Sequence, residues 1–224
     1  MKYFFLSFTE TPTPFRLEPT MDEVFSEPEK FETYFKPILA VDLAQIFPGE
    51  VGTLFFVYTT CAYNVTFEVV DGKYELRDYE DGEYLPVADP ATVLDSEDIP
   101  LDEDEPISQI VVKPPYPAKP SARYFQIHPF ESDLSPDDDD WYDAVKPLKE
   151  ELHQKGIRIN TEIGHLGGQP CWMQWVDQDT IDYVTGFVGQ LTASRWGDFY
   201  GAWIYMHLNE RDGRCFVSFT YQYT

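Results

Sequence analysis

The sequence contains few side chains of the kinds that bind transition metals or act as nucleophiles. No two of its four histidines stand four residues apart and no Cys-x-x-Cys pair is present, so the spacing of a zinc site is missing. Cys171 and His165 could form a thiol nucleophile and its base, but neither lies in a known nucleophile motif, and a buried structural cysteine is the commoner case. We therefore expect no metal, no cofactor and no catalytic residues, and the balance favours a protein that is not an enzyme.

A run of four acidic residues, Asp137 to Asp140, raises the question of a calcium site. Calcium loops space their oxygen ligands at alternate residues and place a glycine at the turn, and this run has neither feature. Carboxylates at the start of a helix are instead stabilised by the helix dipole. Ser135 as N-cap and Pro136 at the first helical position predict a helix that ends before Gly156, with a kink or an early end at Pro147.

Acidic residues dominate the chain as a whole. It holds 40 Asp and Glu against 16 Lys and Arg, a net charge of −24, which must repel nucleic acids and anionic membrane surfaces. The four consecutive acidic residues from 102 to 105 are either a solvated face or a docking surface for a basic protein. They are Asp102, Glu103, Asp104 and Glu105.

A glycine-rich segment from Gly164 to Pro170 is the remaining candidate for a binding site. It lacks the Gly-Lys-Ser/Thr ending of a phosphate-binding loop and the strand-to-helix setting of a dinucleotide site, so a tight turn with close backbone packing is the preferred interpretation. Nearby polar and aromatic residues could line a pocket with it. The candidate residues are Gly167, Gly168, Gln169, Trp172, Gln174, Trp196, Gly197 and Asp198.

The elements that would position these residues are mainly strands. Alternating apolar and polar residues predict many strands and a few short helices, with hairpins at Asp71-Gly72 and between the two C-terminal strands. Residues 80 to 105 are predicted to be a loop or a poorly packed excursion, followed by a strand from Ile107 to Val112. The prolines from 114 to 120 are predicted to form a stiff connector. The prediction is a β-rich α+β fold with mixed or antiparallel sheets in a single domain, 1–224, with two related halves, 1–113 and 121–224, as one possible organisation.

Two parts of the chain resemble the bacterial YwqG-like family, a domain of unknown function. Residues 167 to 174, Gly189-Gln190-Leu191 and Trp196-Gly197-Asp198 resemble its C-terminal signature, and residues 39 to 46 and 52 to 56 look like its N-terminal element. The chain departs from that pattern at Ala40-Val41 and at Thr192-Ala193-Ser194. The resemblance implies an α+β fold and supplies no catalytic residues or cofactor.

Two hypotheses about function follow. The first is a cytoplasmic, non-enzymatic protein-binding module, such as a neutralising partner of a basic toxin, because the charge is strongly negative and no catalytic set is present. The second is a small-molecule-binding protein or weak hydrolase that uses the turn from Gly167 to Gln174. The cytoplasmic location is expected because three unpatterned cysteines suit reduced thiols and the N-terminal apolar run is too short for a signal peptide.

Overall fold

The computed structural model describes residues 1–59, 62–80, 82–94, 121–159, 164–172, 186–192 and 202–223. Its main feature is one antiparallel sheet of 12 strands. In chain order the strands are β1 Lys2–Thr9, β2 Phe15–Leu17, β3 Lys36–Asp42, β4 Thr53–Tyr58, β5 Asn64–Val70, β6 Lys73–Glu80, β7 Glu83–Pro86, β8 Tyr124–Glu131, β9 Gly164–Gly167, β10 Phe187–Thr192, β11 Ala202–Arg211 and β12 Arg214–Tyr223.

The strands are not arranged in the order of the chain. Across the sheet they run β4-β3-β2-β8-β1-β9-β10-β11-β12-β5-β6-β7. β8 lies between β2 and β1, and β9 to β12 separate β1 from β5. The β-rich α+β prediction is therefore confirmed, but the prediction of two halves is wrong, because strands from 1–113 and 121–224 interleave in one sheet.

Both predicted hairpins form, and the same dipeptide makes both turns. Asp71 and Gly72 join β5 to β6 with φ of 51° and 79°, and Asp212 and Gly213 join β11 to β12 with φ of 54° and 71°. Two successive positive φ values match the right-handed twist of paired strands, and Asp-Gly adopts them readily. The local sequence is therefore sufficient to specify these two turns.

Three helices are described: α1 Met21–Val24, α2 Pro28–Phe31 and α3 Trp141–Gln154. α1 begins with a capping box, in which the Thr20 side chain accepts a hydrogen bond from the Glu23 N–H and the Glu23 carboxylate accepts one from the Thr20 N–H. α3 begins at Trp141, five residues later than the predicted Pro136, because Ser135 and Asp138 close a separate turn before it. It continues through Pro147 for 14 residues, so the predicted early end is wrong.

Residues 82–94 are the described part of the segment predicted to be a loop or a poorly packed excursion, and they contain a short, mostly exposed strand rather than a loop throughout. β7 pairs with β6 and adds a third antiparallel strand to the β5-β6 hairpin, and a short 3-10 helix forms at Pro90–Thr92. A second 3-10 helix, Leu43–Gln45, lies outside this segment. The predicted strand from 107 to 112 and the proline-rich connector lie outside the described residues. No helix in the described ranges has the length and apolar character needed to cross a membrane.

The two faces of the sheet carry different side chains. We call the apolar face the one that bears Phe4, Leu166, Ile204 and Phe219, which belong to a large core cluster of buried residues. Alternation along each strand places His165, Gln190, Tyr205 and His207 on the opposite face, which we call the polar face. α3 packs on the polar face over β1, where the Trp141 ring centre lies 4.8 Å from that of Tyr3.

The apolar face also closes over the end of the sheet at β4. The Phe55 N–H donates to Tyr74 Oη at 2.8 Å, Tyr74 Oη donates to the Phe55 carbonyl at 3.0 Å, and Tyr221 Oη donates to the Val57 carbonyl at 3.0 Å. These groups of β4 have no neighbouring strand, and an unpaired strand edge is a site for aggregation. Two buried tyrosines from β6 and β12 therefore satisfy the edge with their hydroxyls.

Candidate functional site

A row of polar side chains crosses the middle of the polar face. His165 of β9, Gln190 of β10 and Tyr205 of β11 lie directly opposite one another in the sheet register. All three are buried, with relative exposures of 4%, 2% and 0%. Buried polar side chains must find hydrogen-bond partners to avoid a desolvation cost, so their partners define what the site is.

His165 is enclosed by aromatic rings and by the turn that follows its own strand. Its ring centre lies 5.2 Å from that of Tyr3 and 5.9 Å from that of Phe187. Its Nε2 lies 2.9 Å from the Gln169 carbonyl, which requires the ring to donate from that atom. Burial lowers the pKa of His165 to about 4, against a smaller opposing effect of the Gln169 bond, so the ring is neutral at pH 7.

Gly167 and Gly168 make the sharp turn that brings Gln169 next to His165. Both have positive φ, of 67° and 72°. A Cβ atom at Gly168 would lie 2.0 Å from the Tyr3 ring, and one at Gly167 would lie 2.7 Å from the Lys2 carbonyl. The preference for a structural turn with close packing is thus supported at the two glycines of the predicted site.

The segment after the turn is fixed onto the polar row by two hydrogen bonds. The Cys171 N–H donates to Gln190 Oε1 at 2.6 Å, and Tyr205 Oη donates to the Cys171 carbonyl at 2.7 Å. The Trp172 ring then lies over the Tyr205 ring with centres 4.4 Å apart. Gln190 and Tyr205 therefore act on the backbone of this segment, and they hold Trp172 over the face.

The hypothesis that Cys171 is a nucleophile activated by His165 has no support in this geometry. Burial raises the pKa of the Cys171 thiol to about 12, and a hydrogen bond with Asp137 adds to the rise. A nucleophilic cysteine needs the opposite shift, because the thiolate is the reactive form. His165 in turn uses its Nε2 on Gln169 rather than on the thiol.

His207 differs from the rest of the polar face in its hydrogen bonding. It is 1% exposed, and neither Nδ1 nor Nε2 has a hydrogen-bond partner among the described residues. Trp172 stacks against it at 6.0 Å and Phe187 packs at 5.5 Å. Burial lowers its pKa to about 4, and each unpaired polar group of this kind costs about 1 to 3 kcal/mol.

Acidic side chains border the outer rim of this region. Asp137 to Asp140 are all exposed and precede α3, whose N-terminal residue Trp141 packs under them. Asp137 reaches the Cys171 thiol, and Asp138 adds to a rise in the Tyr3 pKa that is caused mainly by burial. The acidic run and the glycine-rich turn, which are 30 residues apart in the chain, are therefore neighbours in the fold.

A serine and a histidine also meet on the polar face, near β8. Ser7 Oγ lies 2.7 Å from His128 Nε2, and both residues are buried. This distance suits a nucleophile and its base, but it is also that of an ordinary structural hydrogen bond. Since both groups are covered and burial lowers the pKa of His128, the pair is best explained as one that satisfies two polar groups on a packed face.

The structure brings together only part of the site predicted from sequence. Gly167, Gly168, Gln169 and Trp172 form one continuous turn beside the polar row. The other predicted residues lie outside the described residues, namely Gln174, Trp196, Gly197 and Asp198 of the pocket and Asp102, Glu103, Asp104 and Glu105 of the acidic segment. Within the described ranges, no three His, Cys, Asp or Glu side chains are grouped as metal ligands.

Sequence reasoning missed the role of Gln190, Tyr205 and His207. A signal was present, because each of them stands between two nonpolar neighbours in a strand, and those neighbours are buried except for the half-buried Leu208. Polar residues within strands that are buried on both faces need internal partners, so such positions identify candidate networks.

Comparisons with protein-family models, with curated proteins and with solved structures find no match to this chain.

Proposed function

We propose that this chain is a non-enzymatic, acidic protein-binding module that associates with a basic protein, with neutralisation of a basic toxin as the role that fits it best. The supporting observation is the net charge of −24, together with the exposure of consecutive acidic residues from Asp137 to Asp140. A strongly negative surface raises the association rate with a positively charged partner and disfavours acidic ones. The proposal includes a cytoplasmic location, kinship with the YwqG-like family and no cofactor.

The described part of the surface offers one acidic region with the composition of an interface. Asp137, Asp138, Asp139 and Asp140 are exposed, and Tyr142 beside them is 72% exposed. Aromatic residues are enriched at interface centres, and a tyrosine ring can also contact a lysine or arginine through its π face. The sequence supplies a second acidic region at Asp102 to Glu105. The two regions are alternative docking segments, and each is tested by its own variant.

The experiment measures association kinetics with the physiological partner. The partner is captured from native lysate with the wild-type chain, identified and purified, and its association rate is measured by stopped flow at low salt and at 0.15 M salt. Three variants are compared with the wild type: Asp137 to Asp140 all changed to Asn, Asp102 to Glu105 changed to Asn or Gln, and a control. The control changes four exposed acidic residues elsewhere, Asp22, Glu29, Glu32 and Glu50.

If one of the two acidic segments docks the partner, the variant that neutralises that segment should associate more slowly than the wild type at low salt. Its association rate should also depend less on salt, and its stability should change little. The reason is that steering acts over a screening length of about 8 Å at 0.15 M salt and over longer distances at low salt. The control variant should change the rate less than the docking variant. Equal rates for the wild type and both acidic variants at low salt would contradict the proposal, and so would a captured partner that is itself acidic.

A second candidate function, binding of a small molecule or weak hydrolysis at the turn from Gly167 to Gln174, is favoured by one observation. Neither ring nitrogen of His207 has a hydrogen-bond partner among the described residues, and the Trp172 ring stacks against this imidazole. A small-molecule library screened by thermal shift against the wild type and the His207→Leu variant tests this. Compounds that raise Tm for the wild type and not for the variant would support binding there, whereas hits that stabilise both equally would exclude His207 from the site.

A further inference from the structure

A surface cleft lies apart from the glycine-rich turn, between the tip of the β11-β12 hairpin and strand β7. It has a volume of about 460 Å³, within the range of small-molecule sites. It is lined by Gly82, Glu83, Tyr84, Arg211, Asp212, Arg214 and Phe216. Two arginines in one cleft are notable in a chain with 16 basic residues against 40 acidic ones.

One wall of the cleft is aromatic and is held in place from behind. The rings of Tyr84 and Phe216 stack with centres 4.3 Å apart, and the Arg214 guanidinium lies 4.9 Å from the Phe216 centre. Arg214 is fixed by two bonds to Glu68, from Nε at 2.8 Å and from a terminal nitrogen at 2.6 Å. This wall is therefore a rigid, flat surface rather than a set of loose side chains.

The mouth of the cleft carries one cation, Arg211, which also has a side-chain hydrogen bond with Tyr79, and two anions, Asp212 and Glu83. Arg211 Nε lies 3.9 Å from the Asp212 carboxylate, at the outer limit of an ion pair, and the two side chains are 50% and 89% exposed. Glu83 is also exposed. A guanidinium has five N–H donors and can bind a carboxylate through two of them in parallel, so Arg211 can keep its hydrogen bond with Tyr79 and exchange the 3.9 Å contact with Asp212 for a ligand carboxylate.

We propose that this cleft binds a small zwitterion, an α-amino acid with an apolar or aromatic side chain. The ligand carboxylate would pair with Arg211, its ammonium group with Glu83 and Asp212, and its side chain would lie against Tyr84 and Phe216. Both signs of charge are needed, because a purely anionic ligand meets Glu83 and Asp212 and a purely cationic one meets Arg211. The proposal is independent of the basic-protein partner, since the residues and the ligand differ.

The test uses the full chain and three probes that differ in charge. L-Phenylalanine, its amide and its N-acetyl derivative are titrated by isothermal calorimetry, with saturation-transfer NMR as a second readout for weak binding. We expect L-phenylalanine to saturate in the millimolar range, and the amide and the N-acetyl derivative to bind about tenfold more weakly, the effect of losing about 1.4 kcal/mol.

Matched variants separate the cleft from general charge effects. Arg211→Gln and Glu83→Gln should each weaken L-phenylalanine binding about tenfold. Lys155→Gln and Glu151→Gln make the same changes in an exposed ion pair at the end of α3, and they should leave binding unchanged. The proposal fails if L-phenylalanine does not bind, if its amide or N-acetyl derivative binds equally well, or if the α3 variants weaken binding as much as the cleft variants. All four positions are exposed, so their substitution should not prevent folding.

Discussion

The two faces of the sheet achieve burial in different ways. On the apolar face, rings such as Phe25, Phe35, Phe67 and Phe219 pack with one another and need no particular partner atoms. On the polar face, Gln190 and Tyr205 are buried just as completely, but each depends on a backbone group of one short segment. We therefore expect the apolar face to contribute most of the stability of the protein. We expect the polar face to fix the position of the segment at Cys171.

The largest expected effect comes from truncating the centre of the apolar face. Phe67 is fully buried and its ring contacts those of Phe35 and Tyr74 at 5.3 and 5.2 Å. Phe67→Ala should lower the free energy of unfolding by about 3 to 5 kcal/mol, measured by denaturant titration. Thr66→Ala changes the neighbouring residue on the polar face, where it bonds Ser218, and should cost about 1 kcal/mol. Equal losses for the two variants would contradict the comparison.

The pH dependence of stability tests the polar face. The pKa values of His165 and His207 are about 4 in the folded protein and about 6.5 when unfolded, so the unfolded state binds more protons between these values. Stability should therefore be complete above pH 6.5 and should fall as pH decreases toward 4, by up to roughly 3 kcal/mol for each group. Urea titrations at pH 7, 6, 5 and 4 check this.

A carboxylate provides a separate, more acidic window, which requires the urea titrations to be extended to pH 3 and pH 2. Bonds from Arg214 and Arg77 hold the pKa of Glu68 at about 2, below its usual value of 4.5. Its contribution is therefore present above pH 4.5 and is lost as pH falls toward 2. A fall in stability confined to pH below 4.5 would assign the acid sensitivity to carboxylates and would contradict the role of the histidines.

An intermediate effect is expected at the tyrosine that covers the β4 edge. Tyr74→Phe keeps the ring in the apolar face but leaves the buried N–H and carbonyl of Phe55 without their partner. This should cost about 1 to 3 kcal/mol in a denaturant titration. Tyr142→Phe removes the hydroxyl of an exposed tyrosine and should change stability by less than about 0.5 kcal/mol. If both variants behave alike, the edge is not held by the hydroxyl.

The smallest effect, and one of opposite sign, is expected at His207. Because its ring nitrogens lack partners among the described residues, His207→Leu removes two unsatisfied polar atoms at similar volume. Stability at pH 7 should be unchanged or should rise by up to about 1 kcal/mol, and the pH dependence between 6.5 and 4 should become shallower. His153→Leu, at an exposed position of α3, is the control for the loss of an imidazole and should change stability at pH 7 by less than about 0.5 kcal/mol. A loss of more than about 2 kcal/mol in the free energy of unfolding would contradict this prediction, because it would show that the His207 ring makes hydrogen bonds in the folded protein.

Part of the site could be predicted from the sequence because it depends on local backbone geometry. Gly167 and Gly168 were recognised as a tight turn, and their positive φ values confirm it. The neighbours of that turn were not predicted. Tyr3, Gln190 and Asp137 are distant in the chain, and their contacts arise from the order of strands and the placement of α3. A single sequence can show that a buried polar residue such as Gln190 needs a partner, but it does not show which distant residue supplies that partner.

Features that are stabilised by interactions between nearby residues can be read from the sequence alone. Asp-Gly specifies two hairpin turns, Thr20 and Glu23 specify a helix cap, and alternation specifies most strands, because each depends on residues a few positions apart. The position of β8 between β2 and β1 is visible only in the tertiary structure. This position rules out two separate halves, because a strand of the second half lies between two strands of the first. Any strand with a suitable apolar pattern can hydrogen-bond to any other through its backbone, so strand order follows from the packing of the whole chain.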